Sequence, residues 1–255
     1  MEKVEANNRK KVYFISDLHL GASYFTDCHE KERRVVRWLD KVKCDAAEIY
    51  LLGDILDYWY EYRYVVPRGY VRFFGKIAEL SDAGIKIHWF IGNHDIWIFD
   101  YLPAELGIDV IDGSQVKDIM GKRFYLAHGD GVGRHSRSFA FIRSLFRNRF
   151  CQILFAAIHP RWTIPFAHGW SHHSRKSHSV NPAPSQSAAE SIFKFTKEYA
   201  QVHHDIDYFV YGHLHQLVDE MVGNNARMIV LGDWINLDSY GVFDGDTFIL
   251  KRFSE

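Results

Sequence analysis

Short apolar runs recur along the chain, and each ends in a polar cluster holding Asp, Asn or His. Val12-Tyr13-Phe14-Ile15 runs into Ser16-Asp17-Leu18-His19, and Ile49-Tyr50-Leu51-Leu52 into Gly53-Asp54. Ile87-His88-Trp89-Phe90-Ile91 leads to Gly92-Asn93-His94-Asp95, and Arg123-Phe124-Tyr125-Leu126-Ala127 to His128-Gly129-Asp130. Tyr208-Phe209-Val210-Tyr211 leads to Gly212-His213-Leu214-His215. Brief runs rich in β-branched and aromatic residues, closed by Gly or a polar residue, predict buried strands. Glu30 to Lys43 reads as a helix, with Val35, Val36 and Leu39 among charges; Tyr70 to Ala83 reads as a second, stopped by Gly84. This alternation predicts right-handed crossovers and a sheet with a parallel portion. Farther on, Met228 to Leu231 and Thr247 to Leu250 predict strands, and Phe243-Asp244-Gly245-Asp246 supplies an Asp-Gly hairpin turn. The expected architecture is α/β, two packed sheets with helices outside them, in a single domain over 1–255.

One segment breaks this pattern. Gly131 to Ala189 contains no Asp or Glu but carries Arg134, Arg137, Arg143, Arg147, Arg149, Arg161, Arg175 and Lys176. Phe139, Ile142, Phe146, Phe150 and Ile153 step by three and four, which predicts an apolar helical stripe flanked by arginines. The segment reads as an insertion, 131–189, with a Ser/Pro-rich loop at its end. Such a stripe either packs on the core, leaving the arginines solvated, or lies on a membrane surface. A nucleic-acid groove is a lesser reading, and no nucleic-acid partner is expected. His172, His173 and His178 cluster with Arg175.

The bulk numbers change the picture little. Hydrophobic content of 47% and charged content of 25% are ordinary for a globular chain, and a net charge of −1 carries no nucleic-acid signature. Cys28, Cys44 and Cys151 form no CxxC pair, which argues against a disulfide framework and fits a reducing compartment. Met1 to Lys11 lacks the apolar core of a signal peptide. No apolar run reaches the roughly 18 residues of a membrane span. A cytoplasmic protein is expected.

The five polar clusters carry the chemistry. Each follows a predicted strand, and the carboxyl ends of strands are where open α/β sheets bind ligands. Imidazole and carboxylate suit Mn, Fe and Zn without a thiolate. Asp-x-His and His-x-His just past a strand put two side chains on one side, and Gly before Asp54, Asn93 and His213 allows a sharp turn and close approach to an ion. Two cations about 3.5–4 Å apart need a bridging anion, a role open to Asp54.

In this order the clusters resemble the five blocks of the calcineurin-like metallophosphoesterases. That resemblance implies a four-layer αββα sandwich. It implies one metal on Asp17, His19, Asp54 and His215, and a second on Asp54, Asn93, His128 and His213. It gives His94 the transition state or leaving group, with Asp95 supporting it. Hydroxide formed from a water between the metals would attack phosphorus.

The chain also looks like the UDP-2,3-diacylglucosamine diphosphatases of lipid A synthesis, which carry a helical lid between the fourth and fifth blocks, where 131–189 lies. Gly53-Asp54-Ile55-Leu56-Asp57-Tyr58-Trp59 and Leu231-Gly232-Asp233-Trp234 are shared features. The resemblance implies a nucleotide-lipid substrate, cleavage to UMP and 2,3-diacylglucosamine 1-phosphate, and peripheral contact with the cytoplasmic face of the inner membrane. Arg134, Arg137, His173, Arg175 and Lys176 are the candidate substrate contacts, and Mn²⁺ is the expected metal. Well-known members carry Arg after the third-block Gly-Asn, where this chain has His94. A metallophosphoesterase for another phosphodiester or phosphomonoester is the alternative.

Overall fold

The structure, a computed structural model, describes residues 9–133, 137–166, 169, 186–223 and 225–254. Two sheets face each other. The first has six strands in the order β11-β10-β1-β2-β3-β4. Within it β1 (Lys11–Ile15), β2 (Ala46–Leu52), β3 (Lys86–Phe90) and β4 (Asp109–Ile111) run parallel. β10 (Ser239–Phe243) and β11 (Phe248–Arg252) close it as an antiparallel hairpin. The second sheet is β5-β6-β7-β9-β8. There β6 (Lys122–Ala127), β7 (Tyr208–Tyr211) and β9 (Ala226–Leu231) are parallel, flanked by antiparallel β5 (Gln115–Ile119) and β8 (Leu217–Val222).

The strand period of two sorts β1 between two cores. Val12 and Phe14 point between the sheets, where Tyr50, Phe90, Phe124, Val210, Ile229 and Phe243 meet them. Tyr13 and Ile15 point outward, under α1 (Cys28–Val42), α2 (Val71–Asp82) and α3 (Tyr101–Leu106). A third cluster joins the outer face of the second sheet to α6 (Gln186–Val202) through Ile192, Ala200, Phe209 and Met228. The layers are therefore helix, sheet, sheet, helix, as expected.

The first helix reads directly from sequence. Asp27 caps it by accepting from Glu30 N at 2.8 Å, and Val35, Trp38, Leu39 and Val42 form its buried stripe. α2 and α3 begin without a local cap. Their orphan N–H groups go to carboxylates from far along the chain. Glu32 accepts from Arg72 N and Phe73 N, and Glu61 from the backbone of Phe99, Asp100, Tyr101 and Leu102.

Over residues 137–156 the structure differs from the expected single stripe. α4 (Arg137–Arg147) stops and α5 (Arg149–Ala156) starts anew, because Asn148 is extended and its side chain accepts from Phe150 N and Cys151 N. Packing on the core falls to Phe146, Phe155 and Ile164. Phe139, Ile142, Phe150 and Ile153 stay exposed, as does Phe141. Three polar contacts fasten this region to the loops after β2 and β3: Tyr60 OH to Gln152 O at 2.6 Å, Trp97 Nε1 to Phe146 O at 2.9 Å, and Tyr62 OH with Thr163 Oγ1 at 2.7 Å. Arg143 Nε reaches the buried Asp130 at 3.2 Å, just past the fourth polar cluster.

Candidate metal centre

The parallel strands β1, β2 and β3 of one sheet and β6 and β7 of the other deliver all five clusters to a common edge. The backbone there leaves strand geometry abruptly. Asp17 (φ 54°), His19 (46°), Asp54 (53°), His213 (67°) and His215 (53°) all adopt the left-handed conformation. Non-glycine residues do so seldom and at an energetic cost, which marks a place where side-chain placement outweighs local backbone comfort.

The two carboxylates at the centre share one arrangement. Asp54 Oδ1 accepts from His94 N at 2.8 Å and Asp17 Oδ2 from His213 N at 2.9 Å. Each is thereby clamped by a different cluster, and its second oxygen turns inward. Asp54 Oδ2 lies 3.7 Å from His19 Nε2, 3.5 Å from His128 Nε2 and 4.0 Å from His94 Nε2. Asp17 Oδ1 lies 3.7 Å from His19 Nε2 and 3.5 Å from His215 Nε2. Both carboxylates are buried, and among the described residues Asp17 Oδ1 accepts no hydrogen bond. The glycines make the crowding possible. A Cβ at Gly92 would collide with the Asp54 carboxylate and backbone, and one at Gly212 would lie 2.7 Å from Asp17 Oδ2.

The histidines follow one rule. Nε2 faces the carboxylates in His19, His94, His128 and His215, while an oxygen stands on the Nδ1 side. That oxygen is Leu52 O for His128 (2.8 Å), Asp57 O for His94 (3.0 Å), Asp57 Oδ1 for His19 (3.5 Å) and Asp233 Oδ2 for His215 (3.4 Å). An acceptor at Nδ1 selects the tautomer that leaves Nε2 free as a ligand. His213 joins His128 and Asp54 as donors within 4.8 Å of one another, and Asp17, His19 and His215 form a second such group. Asn93 Oδ1 stands 3.3 Å from His128 Nε2. The set therefore offers the two pockets of these groups, overlapped by a third of His19, Asp54 and His94, with Asp54 in two of the three, and imidazole and carboxylate donors of this kind fit divalent cations.

Charge in the cluster is balanced internally. Burial alone would raise the Asp54 pKa, but His128 and His94 hold it well below the carboxylate range. Asp17 is held low in the same way, against burial, by His215 and His19. Burial opposes charging of His128, yet the Asp54 carboxylate raises its pKa. His213 is pushed down to about 4 by burial and by His128. An ion in either pocket would take over the compensation these imidazoles provide.

The sequence-predicted residues divide three ways. Asp17, His19, Asp54, Asn93, His94, His128, His213 and His215 come together. Arg137 opens α4 on an exposed turn. Arg134, His173, Arg175 and Lys176 lie outside the described residues, as do His172 and His178. Asp95, expected to support His94, is turned elsewhere. Its Oδ2 accepts from Ile55 N (2.9 Å) and Trp89 Nε1 (3.2 Å), and its Oδ1 from Gly92 N (2.8 Å). It ties the third cluster to the second from beneath, and burial and then the Asp54 charge push its pKa up to about 6. Asp57 stands beside the His94 ring instead. Sequence reasoning left Asp57 and Asp233 without roles. The available signal was Gly-Asp at a strand end, repeated at Gly232-Asp233, and a second Asp one turn past Asp54.

A family model, calcineurin-like phosphoesterase, matches residues 10–217. A UDP-2,3-diacylglucosamine hydrolase of Porphyromonas gingivalis is 43% identical, over 97% of this chain and 99% of its own. A UDP-2,3-diacylglucosamine hydrolase of Neisseria meningitidis is 27% identical, over 89% of this chain and 91% of its own. A solved archaeal phosphodiesterase superposes with a TM-score of 0.48 at 14% identity, over 95% and 99% of the two chains.

Asp95 offers a direct check on how the clusters are braced. Asp95→Ala orphans four buried donors, Ile55 N, Leu56 N, Trp89 Nε1 and Gly92 N, and each costs about 1–3 kcal/mol. The variant should lose several kcal/mol of unfolding free energy by denaturant titration. A loss below about 1 kcal/mol, the size of an average substitution, would show that these bonds do not hold the site together.

Proposed function

The chain belongs to the calcineurin-like phosphoesterase family, and we propose that it hydrolyses the pyrophosphate bond of UDP-2,3-diacylglucosamine to UMP and 2,3-diacylglucosamine 1-phosphate, a step of lipid A synthesis. Family membership makes it a metal-dependent hydrolase. One observation carries the substrate: 43% identity to a UDP-2,3-diacylglucosamine hydrolase over nearly the full length of both chains. In this reading one ion is held by Asp17, His19, Asp54 and His215, and the other by Asp54, Asn93, His128 and His213. Oxygen and imidazole donors without thiolate favour Mn²⁺. When bound, the ions supply an acidified water as nucleophile and neutralise charge on the phosphoryl oxygens.

The chain's own residues do the rest. Asp17 and Asp54 each aim one oxygen inward because the other is occupied by a backbone N–H. His94 keeps Nδ1–H on Asp57 O and presents Nε2 to the cleft, so the ring protonated at both nitrogens would aim its Nε2–H at the departing phosphate oxygen. The acid-free insertion supports the lipid half of the substrate. We read 131–189 as a lid of one domain whose exposed apolar face meets acyl chains and the surface of the cytoplasmic leaflet. Phe141, Phe150 and Trp162 are 69%, 67% and 70% exposed, with Arg137, Arg149 and Arg161 among them. No helix among the described residues is long and apolar enough to cross a membrane, so contact would be peripheral.

Product analysis tests the chemistry. Mn²⁺-loaded protein should release UMP from UDP-2,3-diacylglucosamine rapidly and turn over bis-p-nitrophenyl phosphate slowly. Asp54→Ala should abolish both activities, and His94→Ala should lower kcat by about 10²–10⁴-fold, the usual share of a general acid. Turnover of the small ester alone would discard the lipid substrate and leave a phosphodiesterase of other specificity. Surviving activity in Asp54→Ala would contradict the metal assignment.

Flotation with anionic phospholipid vesicles tests the surface. The wild type should float, and a Phe150→Glu/Trp162→Glu variant should not, with turnover of the small ester retained. Equal flotation of the two would rule out this face as the membrane contact.

A further inference from the structure

We propose that Asp233 fixes the tautomer of His215 and thereby determines whether His215 can hold an ion. The inference rests on the reading of His215 as a metal ligand. Asp233 follows β9 and is buried. Its Oδ1 accepts three consecutive backbone N–H groups, from Ile235 (3.0 Å), Asn236 (2.8 Å) and Leu237 (3.1 Å). That nest fixes the carboxylate plane and leaves Oδ2 facing His215 Nδ1 at 3.4 Å. The contact is long for a hydrogen bond, but Nδ1 is buried and has no hydrogen-bond partner among the described residues. The other ring nitrogen faces Asp17 Oδ1 at 3.5 Å.

A neutral imidazole carries one proton, and an ionised carboxylate only accepts. An ion at Nε2 displaces the competing claim of Asp17 on a proton there, and the ring's one proton must then sit on Nδ1, where only an acceptor such as Asp233 can receive it. The same loop also places the other carboxylate of this pocket, because Trp234 N donates to Asp17 O at 3.1 Å. The loop is backed from two directions. Trp234 Nε1 donates to Ser239 O and Ser239 Oγ to Leu231 O, both at 2.7 Å. From α1, Lys31 and Arg34 reach the Asp238 carboxylate, each at 3.1 Å. Asp57, by contrast, stands beside both His19 and His94, so a change there would disturb two rings at once. Asp233 serves one ring, which makes its effect separable.

Asp233→Asn keeps volume and shape. The three N–H groups continue to require an oxygen, so the amide NH₂ must turn toward His215 Nδ1. A donor there forces the proton onto Nε2 and removes the ligand lone pair. Mn²⁺ titration of chelator-stripped protein should give two sites in the wild type. The variant should keep one site at wild-type affinity and bind the other ion about 10–100-fold more weakly, the usual effect of losing such a partner. Melting of the stripped protein should be unchanged. In ¹⁵N-histidine NMR spectra of Zn²⁺-loaded protein, the wild type should show His215 as Nδ1–H with Nε2 ligated, and the variant should show His215 unligated with its proton on Nε2. Two unaltered sites in the variant would overturn the proposal, and so would equal weakening of both sites accompanied by a lowered melting temperature. If the variant does not fold, the spectrum of the Zn²⁺-loaded wild type decides, and a His215 that still carries its proton on Nε2 refutes the lock. A wild type that takes up no Mn²⁺ is a different failure, that of the ligand assignment itself.

Discussion

Two carboxylates buried side by side repel each other and lose their hydration, and the rest of this structure is arranged around keeping Asp17 and Asp54 in that position. Neither could stay ionised in an apolar junction without positive charge or donors nearby. Backbone N–H groups of His94 and His213 satisfy one oxygen of each, and imidazoles surround the other. The left-handed turns at Asp17, His19, Asp54, His213 and His215 follow from the same demand. Five strand ends must turn sharply at one edge so that their next residues converge. Glycines at 92 and 212 give these turns room to touch.

Convergence alone does not make ligands of histidines. Each ring must also be held by its far side, and the holders come from wherever the fold has an oxygen to spare. Leu52 supplies a carbonyl from β2, Asp57 a carbonyl and a carboxylate, and Asp233 a carboxylate from the loop after β9. The segment that carries α4 and α5 is fastened to this same machinery. Tyr60, Tyr62 and Trp97 lie in the loops that follow the second and third clusters, and Asp130 lies two residues past His128. Movement of α4 and α5 would therefore be felt at the loops that position Asp54 and His94.

The sequence made the strands and the polar clusters at their ends legible, because both obey short-range rules. An apolar run ending in Gly-Asp or Gly-His announces a strand end and a donor together. Long-range partnerships were not legible. The family resemblance implied that Asp95 supports His94; the tight turn instead sends its carboxylate beneath the cluster to Ile55, Trp89 and Gly92. Asp57 was hidden for the converse reason, since it meets His94 only after two strands pair. The apolar stripe from Phe139 to Ile153 kept its spacing through Asn148, so periodicity could not show the break that Asn148 makes by capping a new helix. Short elements such as β4, and α2 and α3 with caps supplied by Glu32 and Glu61, depend on contacts of the same distant kind.

The most direct test of this account is anomalous X-ray scattering from crystals soaked in Mn²⁺. Two peaks about 3.5–4 Å apart should appear, with Asp54 between them, Asp17, His19 and His215 on one, and His128, His213 and Asn93 on the other. A single peak, or ions held away from Asp54, would contradict it.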